Sequence, residues 1–87
     1  MPRADSGNAS NVLAYILIQT EMGKAAQVAR EVSQMPGVTS AEDVAGPYDV
    51  IVRAQAPSVD DLGRLVVARI QKIVGITRTL TCPVIHL

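Results

Sequence analysis

Two segments of similar layout divide the chain, and this internal repeat limits the folds it can adopt more than any other feature. In each segment an apolar strand pattern is followed by an amphipathic helix pattern, a glycine and a second strand pattern. The two helix ends have a common layout, as Met35-Pro36-Gly37-Val38 and Ile73-Val74-Gly75-Ile76. Glycine is favoured just after a helix because it accepts the left-handed conformation found there. The repeat therefore predicts two consecutive β-α-β units.

The first unit opens with a strand over residues 12–20, where apolar side chains occupy both alternating sets until Gln19. Such a pattern is typical of a strand buried on both faces. Since helices on one face would leave the other uncovered, a second subunit is the obvious cover. Residues 24–35 predict an amphipathic helix, because apolar residues recur every three or four positions: Ala25, Val28, Ala29, Val32 and Met35. Residues 38–44 are polar-rich and predict a strand with at least one exposed side.

The second unit begins with a half-buried strand over residues 49–56, in which Val50, Val52 and Ala54 share one face. A helix over residues 59–73 follows, capped by Ser58 with Asp61 in the position of a capping box. Its predicted apolar stripe consists of Val59, Leu62, Val66, Ile70 and Ile73, widened by Leu65 and Val67. Glycine costs about 1 kcal/mol relative to alanine inside a helix, so Gly63 is expected to permit close packing. Residues 76–84 form the last strand.

Two such units joined by a turn give the order βαββαβ. This order predicts an α+β, ferredoxin-like fold, in which a four-stranded antiparallel sheet carries both helices on one face. Right-handed crossovers leave few other topologies. The first and third strands are then central, flanked by the fourth and second respectively. Residues 1–11 lack an apolar period and are assigned to a flexible N-terminal tail, and residues 12–87 to a single domain.

Composition narrows the class of function. Eight basic and eight acidic side chains give zero formal net charge without a basic cluster, so direct nucleic-acid binding is not expected. The single cysteine, Cys82, cannot form an internal disulfide, which fits a reducing compartment. The longest apolar run, residues 12–18, is too short to span a bilayer. These features predict a cytoplasmic protein that does not interact with membranes.

The chemistry-bearing residues do not form a catalytic pattern. Cys82 and His86 stand four residues apart on a predicted strand, about 13 Å at the usual rise per residue, which is too far for a dyad or a shared metal. Glu42-Asp43 alternate to opposite faces of their strand, and Asp60-Asp61 are explained by helix capping. The sequence also contains no phosphate-binding glycine loop, metal-ligand cluster or nucleophile turn. We therefore expect no enzymatic activity, catalytic residue, metal or cofactor.

The turn Gly46-Pro47-Tyr48-Asp49 joins the two units and holds one of only two aromatic residues beside a carboxylate. Proline fixes φ, and the glycine before it is expected to supply a conformation that other residues resist. Structurally, Tyr48 would close the end of the core and Asp49 would bond nearby backbone N–H groups. Functionally, the same turn could form a binding site. The alternating threonines of the last strand, Thr79 among them, are interpreted first as strand formers on a solvated face.

Several of these segments together resemble the effector-sensing RAM domain of the Lrp/AsnC family of amino-acid-responsive transcription regulators. The resemblance covers residues 12–87 and depends on four segments: Ala14-Tyr15-Ile16-Leu17-Ile18, Met35-Pro36-Gly37-Val38, the turn of residues 46–49 leading into Val50-Ile51-Val52, and Gly75-Ile76-Thr77-Arg78-Thr79. It implies a homodimer formed by two facing sheets. It also implies that dimers assemble into an octamer or decamer.

The resemblance further implies an amino-acid effector bound between subunits beside the turn. Gly46, Tyr48 and Asp49 match the family's glycine-x-tyrosine-aspartate motif, and Pro47 occupies its variable position. Thr79 and Thr81 are carried over as polar residues of the last strand. In this site Asp49 could accept the ligand ammonium, turn N–H groups could bind its carboxylate, and Tyr48 could form a wall.

Family regulators carry an N-terminal helix-turn-helix domain, which the eleven residues ahead of Val12 cannot hold. The chain is thus similar to stand-alone members, unless it is a fragment, and DNA binding is not carried over. Such a sensor could assemble with full-length Lrp/AsnC regulators or modulate transcription or amino-acid metabolism through another partner.

Three alternatives remain open. The first is a ligand-independent homo-oligomeric assembly module, in which the turn is only a turn. The second is an ACT-type amino-acid-binding domain, whose ligand usually lies near a glycine after the first strand, here Gly23. The third is a small dimeric-barrel enzyme with an acid-base residue in the sheet interface, for which Arg53, Gln55 or His86 would be the candidates.

Overall fold

A four-stranded antiparallel sheet with the strand order β2-β3-β1-β4 organises the computed structural model, which describes residues 11–85. The elements are β1 (Val12–Thr20), α1 (Ala25–Ser33), β2 (Val38–Asp43), β3 (Val50–Ala56), α2 and β4 (Ile76–Pro83). The helix α2 has three consecutive parts: α-helical Val59–Arg64, π-helical Leu65–Arg69 and 3-10 helical Ile70–Lys72. The predicted ferredoxin-like order is confirmed, with β1 and β3 at the centre. Most of the predicted tail, and His86, lie outside the described residues.

The core lies between the sheet and the two helices. Alternate residues of the central strands point into it, and each strand contributes fully buried side chains: Ala14, Ile16, Ile18, Val50, Val52 and Ala54. The helices cover this face with Val28, Ala29 and Val32 from α1, and with Leu62, Leu65, Val66 and Ile70 from α2. The predicted stripe of α2 is wrong at two positions, since Val59 and Val67 are 62% and 63% exposed.

Both helices are followed by a glycine in the left-handed region, as predicted. Gly37 has φ 90° and Gly75 has φ 103°. The carbonyl of each glycine accepts a backbone N–H at the end of a central strand, from Gln55 at 2.8 Å and from Glu21 at 2.7 Å respectively. A side chain would be strained at both sites, since a Cβ would lie 3.0 Å from the Gln55 carbonyl oxygen at Gly37 and 3.1 Å from the Lys24 Cβ at Gly75. The repeat seen in the sequence is therefore a repeat of local structure.

The start of α2 also follows the sequence prediction. Ser58 has an extended backbone, and its Oγ accepts the Asp61 N–H at 3.1 Å and donates to an Asp61 carboxylate oxygen at 3.0 Å. Gly63 does not serve close packing, however, because a Cβ there would meet no atom within 4 Å. In the described part of the chain, no helix is long and apolar enough to cross a membrane.

The other face of the sheet, which we call the open face, carries no helix. Its centre is apolar: Leu17 pairs in register with Ile51 on β3 and with Leu80 on β4, and Tyr15 pairs with Cys82. These side chains are half-buried or exposed in the single chain. Only one face of β1 is therefore buried within residues 11–85.

Candidate functional site

The turn of residues 46–49 is held by hydrogen bonds to its neighbours on both sides. The Val44 N–H donates to the Asp49 carbonyl at 2.8 Å, which closes the loop between β2 and β3. The Asp49 N–H donates to the Ile18 carbonyl at 2.8 Å, and Gln19 Nε2 donates to the Pro47 carbonyl at 3.0 Å. Three bonds thus fix the backbone of the turn, and two of them attach it to the end of β1.

The Asp49 carboxylate adds a fourth bond to the turn. Its Oδ2 accepts the Thr20 N–H at 2.8 Å in a partly buried position. The expectation that Asp49 bonds a backbone N–H is confirmed, although this N–H belongs to β1. A carboxylate has two oxygens and about four acceptor sites, so one backbone bond leaves capacity for a cationic ligand group. The bond fixes the carboxylate next to the end of β1.

Gly46 and Pro47 are exposed, whereas Tyr48 and Asp49 are half-buried. The expectation that Gly46 supplies a special conformation is wrong, because the glycines with positive φ among the described residues are Gly23, Gly37 and Gly75. A Cβ on Gly46 would also meet no atom within 4 Å. The fold of one chain therefore does not require glycine at this position.

The structure does not bring Thr79 and Thr81 to the turn. In register, Ile18 pairs with Thr79 on one side of β1 and with Val50 on the other, so Thr79 and the turn lie on opposite sides of β1. At the usual strand spacing their backbones are about 10 Å apart. Thr81 pairs with Ile16, further from the turn. Because paired residues share a face, both threonines lie on the helix side and are half-buried, which corrects the expectation of a solvated face.

The two threonines instead line a groove between α2 and β4, with a volume of about 360 Å³. We call it the α2–β4 groove. Its polar lining consists of Gln71, Thr79 and Thr81, and Gln71 Nε2 donates to Thr79 Oγ1 at 2.9 Å. Its remaining lining consists of Val59, Leu62, Gly63, Val66, Val67 and Pro83. Within one chain, the residues of the expected site therefore lie in two separate places.

Sequence reasoning missed three polar residues at these places. Gln19 and Thr20 hold the turn, and Gln71 forms the polar end of the groove. The change from apolar residues to Gln19 at the end of β1 was a usable signal, because a strand end beside a turn is where side-chain amides find carbonyls. Gln71 carried no comparable signal, since a glutamine on an exposed helix face is ordinary.

The structure brings no catalytic group together in the part of the chain that it describes. Within residues 11–85 no cluster of three or more His, Cys, Asp or Glu could hold a metal ion. Glu42 and Asp43 pair with Ile51 and Val50, on opposite faces, as predicted. Cys82 is exposed, and the candidates for an interface acid-base residue, Arg53 and Gln55, are exposed on the open face.

Comparison with known proteins gives a consistent family. The family model described as the Lrp/AsnC ligand binding domain matches residues 13–86. The chain is 31% identical over 55 residues to an uncharacterised HTH-type transcriptional regulator of Pyrococcus abyssi, which is 63% of the chain and 37% of that protein. It also matches the HTH-type transcriptional regulator FL11 of Pyrococcus furiosus, with 28% identity over 87% of the chain and 51% of the regulator. The chain thus spans about half or less of the length of these curated relatives.

Solved structures agree with this assignment. The structure of FFRP-DM1 has a TM-score of 0.80 and 35% identity, covering 85% of this chain and 99% of its own. A transcriptional regulator of Neisseria meningitidis, NMB0573, was solved as a complex with L-Met. It shares the fold with a TM-score of 0.79 at 18% identity, over 99% of this chain and 56% of its own.

Proposed function

The chain belongs to the Lrp/AsnC ligand-binding domain family, a family of regulatory effector-binding modules rather than enzymes, and on this premise we propose that it senses an amino acid beside the turn of residues 46–49. The observation that carries the proposal is the fixed turn that presents the Asp49 carboxylate. The ligand ammonium would bind Asp49, its carboxylate would bind turn N–H groups, and Tyr48 would contact its side chain. Binding would take place between subunits, since the turn lies at one end of the sheet.

Preorganisation supports a binding role for the turn. Four hydrogen bonds hold residues 46–49 before any ligand arrives, so binding would not require ordering of a flexible loop. The Asp49 carboxylate is half-buried, and hydrogen bonds to a charged partner contribute about 1.5–3 kcal/mol. The turn thus combines a fixed anionic group with exposed backbone.

Gly46 provides a second line of support. Neither its φ nor its surroundings require glycine in the single chain. A glycine in open space allows close approach of another molecule to the backbone. We propose that this molecule is the effector, or the neighbouring subunit that completes the site.

The second part of the proposal is a homodimer formed by two open faces. Tyr15, Leu17, Ile51 and Leu80 lie together on this face, partly exposed in the single chain. A contiguous exposed apolar patch of this kind marks an interaction surface. Dimers would then assemble into an octamer or decamer. We propose that this assembly acts in the cytoplasm.

We further propose that the chain acts as a stand-alone domain without direct DNA contact, either by joining full-length Lrp/AsnC regulators or through another partner. FFRP-DM1 supports a stand-alone arrangement, since the match covers 99% of that chain. The zero formal net charge is consistent with the absence of nucleic-acid binding. The structure of NMB0573 with L-Met supports an amino acid as the ligand class.

A thermal-shift screen against the twenty amino acids at millimolar concentration tests the effector proposal. A ligand present at 100 times its dissociation constant adds about 2.7 kcal/mol of stability, which gives a clear rise in melting temperature. The matched variants are Asp49→Asn, which keeps an oxygen for the Thr20 N–H but removes the charge, and Asp43→Asn at an exposed position. A selective shift that Asp49→Asn loses and Asp43→Asn keeps would support the proposal. A shift that both variants keep would remove Asp49 from the site.

The exposed apolar centre of the open face also supports a second candidate function, a ligand-independent assembly module. This module would form the same dimer without an effector. The absence of any thermal shift in the screen, together with an oligomer whose mass is the same with and without amino acids, would favour the assembly module over the sensor.

A further inference from the structure

We propose that the α2–β4 groove is a second small-molecule site, complete within one chain, for an uncharged molecule with an aliphatic body and one hydrogen-bonding head. The groove is separate from the turn, and the nine residues that line it belong to one chain. Its volume of about 360 Å³ lies at the small end of the range for ligand pockets, roughly 300–1,000 Å³. The inference does not depend on the effector site at residues 46–49.

The first observation is the glycine in the wall of the groove. After proline, glycine is the residue least favourable to a helix, yet Gly63 lies inside α2. Its φ is not in the positive region, and a Cβ there would meet no atom within 4 Å. Neither the backbone conformation nor the packing requires glycine at position 63. The absence of a side chain there leaves open space along the groove.

The second observation is the shape of the same wall. The residues after Arg64 leave the α-helical pattern, and Leu65–Arg69 is π-helical. Single π-helical turns inside α-helices are frequent at functional sites. Val66 and Val67 belong to this turn, and both line the groove. The helix is thus irregular along the stretch that faces the cavity.

The third observation is the distribution of polarity. One part of the groove is polar, where Gln71 Nε2 donates to Thr79 Oγ1 and Thr81 lies two residues along β4. The side-chain amide oxygen of Gln71 can accept further hydrogen bonds, and the threonine hydroxyls can accept or donate them. The remaining lining is aliphatic, with Leu62, Val66 and Val67 among it. A branched aliphatic body with an amide, hydroxyl or carbonyl head matches this division.

The lining also selects against charge. None of the residues that line the groove is acidic or basic, so a carboxylate or ammonium would lose hydration without gaining a counter-ion. A zwitterionic amino acid therefore fits the turn, which offers Asp49, and an uncharged molecule fits the groove. The two places differ in ligand class as well as in position.

Isovaleramide and isovalerate are suitable probes, because they share a branched body and differ in the charge of the head. We would follow their titration into the ¹⁵N-labelled protein by amide chemical shifts. The expected result is a saturable shift of groove residues, with isovalerate binding at least about tenfold more weakly than isovaleramide. The absence of saturable groove shifts with isovaleramide, or equal affinity for both probes, would overturn the proposal.

Substitutions at the groove make the test specific. Gly63→Leu fills the open space, and its control, Ala26→Leu, adds the same side chain at an exposed site on α1. We expect Gly63→Leu to lose isovaleramide binding by at least about tenfold with a melting temperature no lower than that of the parent, and Ala26→Leu to bind as the parent does. Thr81→Val, which removes a lining hydroxyl, should weaken isovaleramide binding as well. Parental affinity in both Gly63→Leu and Thr81→Val would refute the site, whereas Asp49→Asn should leave this binding unchanged.

Discussion

Leu17→Lys should convert the proposed facing-sheet dimer into folded monomers. Leu17 lies at the centre of the open face, with Ile51 on one side and Leu80 on the other. In the single chain Leu17 is half-buried, while Tyr15, Ile51 and Leu80 are 43%, 37% and 42% exposed. Because position 17 is only half-buried, a lysine there can extend its ammonium group into water. The Leu17→Lys monomer should therefore remain folded.

The magnitude follows from these exposures. Complete burial of a large apolar side chain is worth about 1.5–3 kcal/mol relative to exposure. Covering the roughly 40% of each side chain that is still exposed in the single chain therefore contributes roughly 1 kcal/mol per side chain. A twofold dimer contains every contact twice, and each buried ammonium would cost several kcal/mol more in desolvation. We therefore expect Leu17→Lys to weaken dimerisation by at least about 5 kcal/mol, or three to four orders of magnitude in Kd.

Sedimentation velocity or light scattering at micromolar concentration measures this effect. The matched control is Val74→Lys, which places the same charge at an exposed valine outside the sheet. Leu17→Lys should sediment as a monomer with a parental circular dichroism spectrum, and Val74→Lys should keep the parental mass. A Leu17→Lys protein of parental mass, or a parent that is itself monomeric at this concentration, would refute the facing-sheet dimer.

Three further outcomes are expected from denaturant unfolding of purified variants. Gly37→Ala should lower the free energy of unfolding by about 1–2 kcal/mol or more, because alanine resists the left-handed conformation and its Cβ would meet the Gln55 carbonyl oxygen. Gly46→Ala should change the free energy of unfolding by less than about 0.5 kcal/mol, because neither its φ nor its surroundings require glycine; a large loss of stability would show that the fold needs this glycine. Ser58→Ala should cost about 1 kcal/mol through loss of the helix cap, and an unchanged midpoint would contradict that role.

Periodicity in the sequence predicted most of the fold. Each strand begins and ends within about two residues of its predicted limits, because alternation in β3 and the glycine stops at Gly37 and Gly75 are local signals with a direct physical cause. Periodicity did not predict the change from α-helix to π-helix and 3-10 helix within α2. A regular helix was expected to place Val67 on the apolar stripe, but Val67 lies in the π-helical part and is 63% exposed.

The contacts of the candidate site could be predicted from the sequence only in part. Asp49 could be expected to bond a backbone N–H, but the sequence could not show that the partner is Thr20, 29 residues away. The resemblance groups Thr79 and Thr81 with the turn, whereas strand register within one chain puts β1 between them and Asp49. Register depends on pairing between distant segments, and a shift of one residue changes the face of every side chain. The separation of the two threonines from the turn therefore depends on strand pairing, which the sequence alone does not specify.

Isothermal titration of the parent and of Asp49→Asn, each with the amino acid that gives the largest thermal shift, tests the central claim most directly. Binding between subunits at residues 46–49 predicts saturable binding to the parent, and a loss of about 1.5–3 kcal/mol in Asp49→Asn, or roughly ten- to hundredfold in Kd. Equal affinity of the two proteins would place the effector elsewhere. No saturable heat with any of the twenty amino acids would contradict the amino-acid sensor itself.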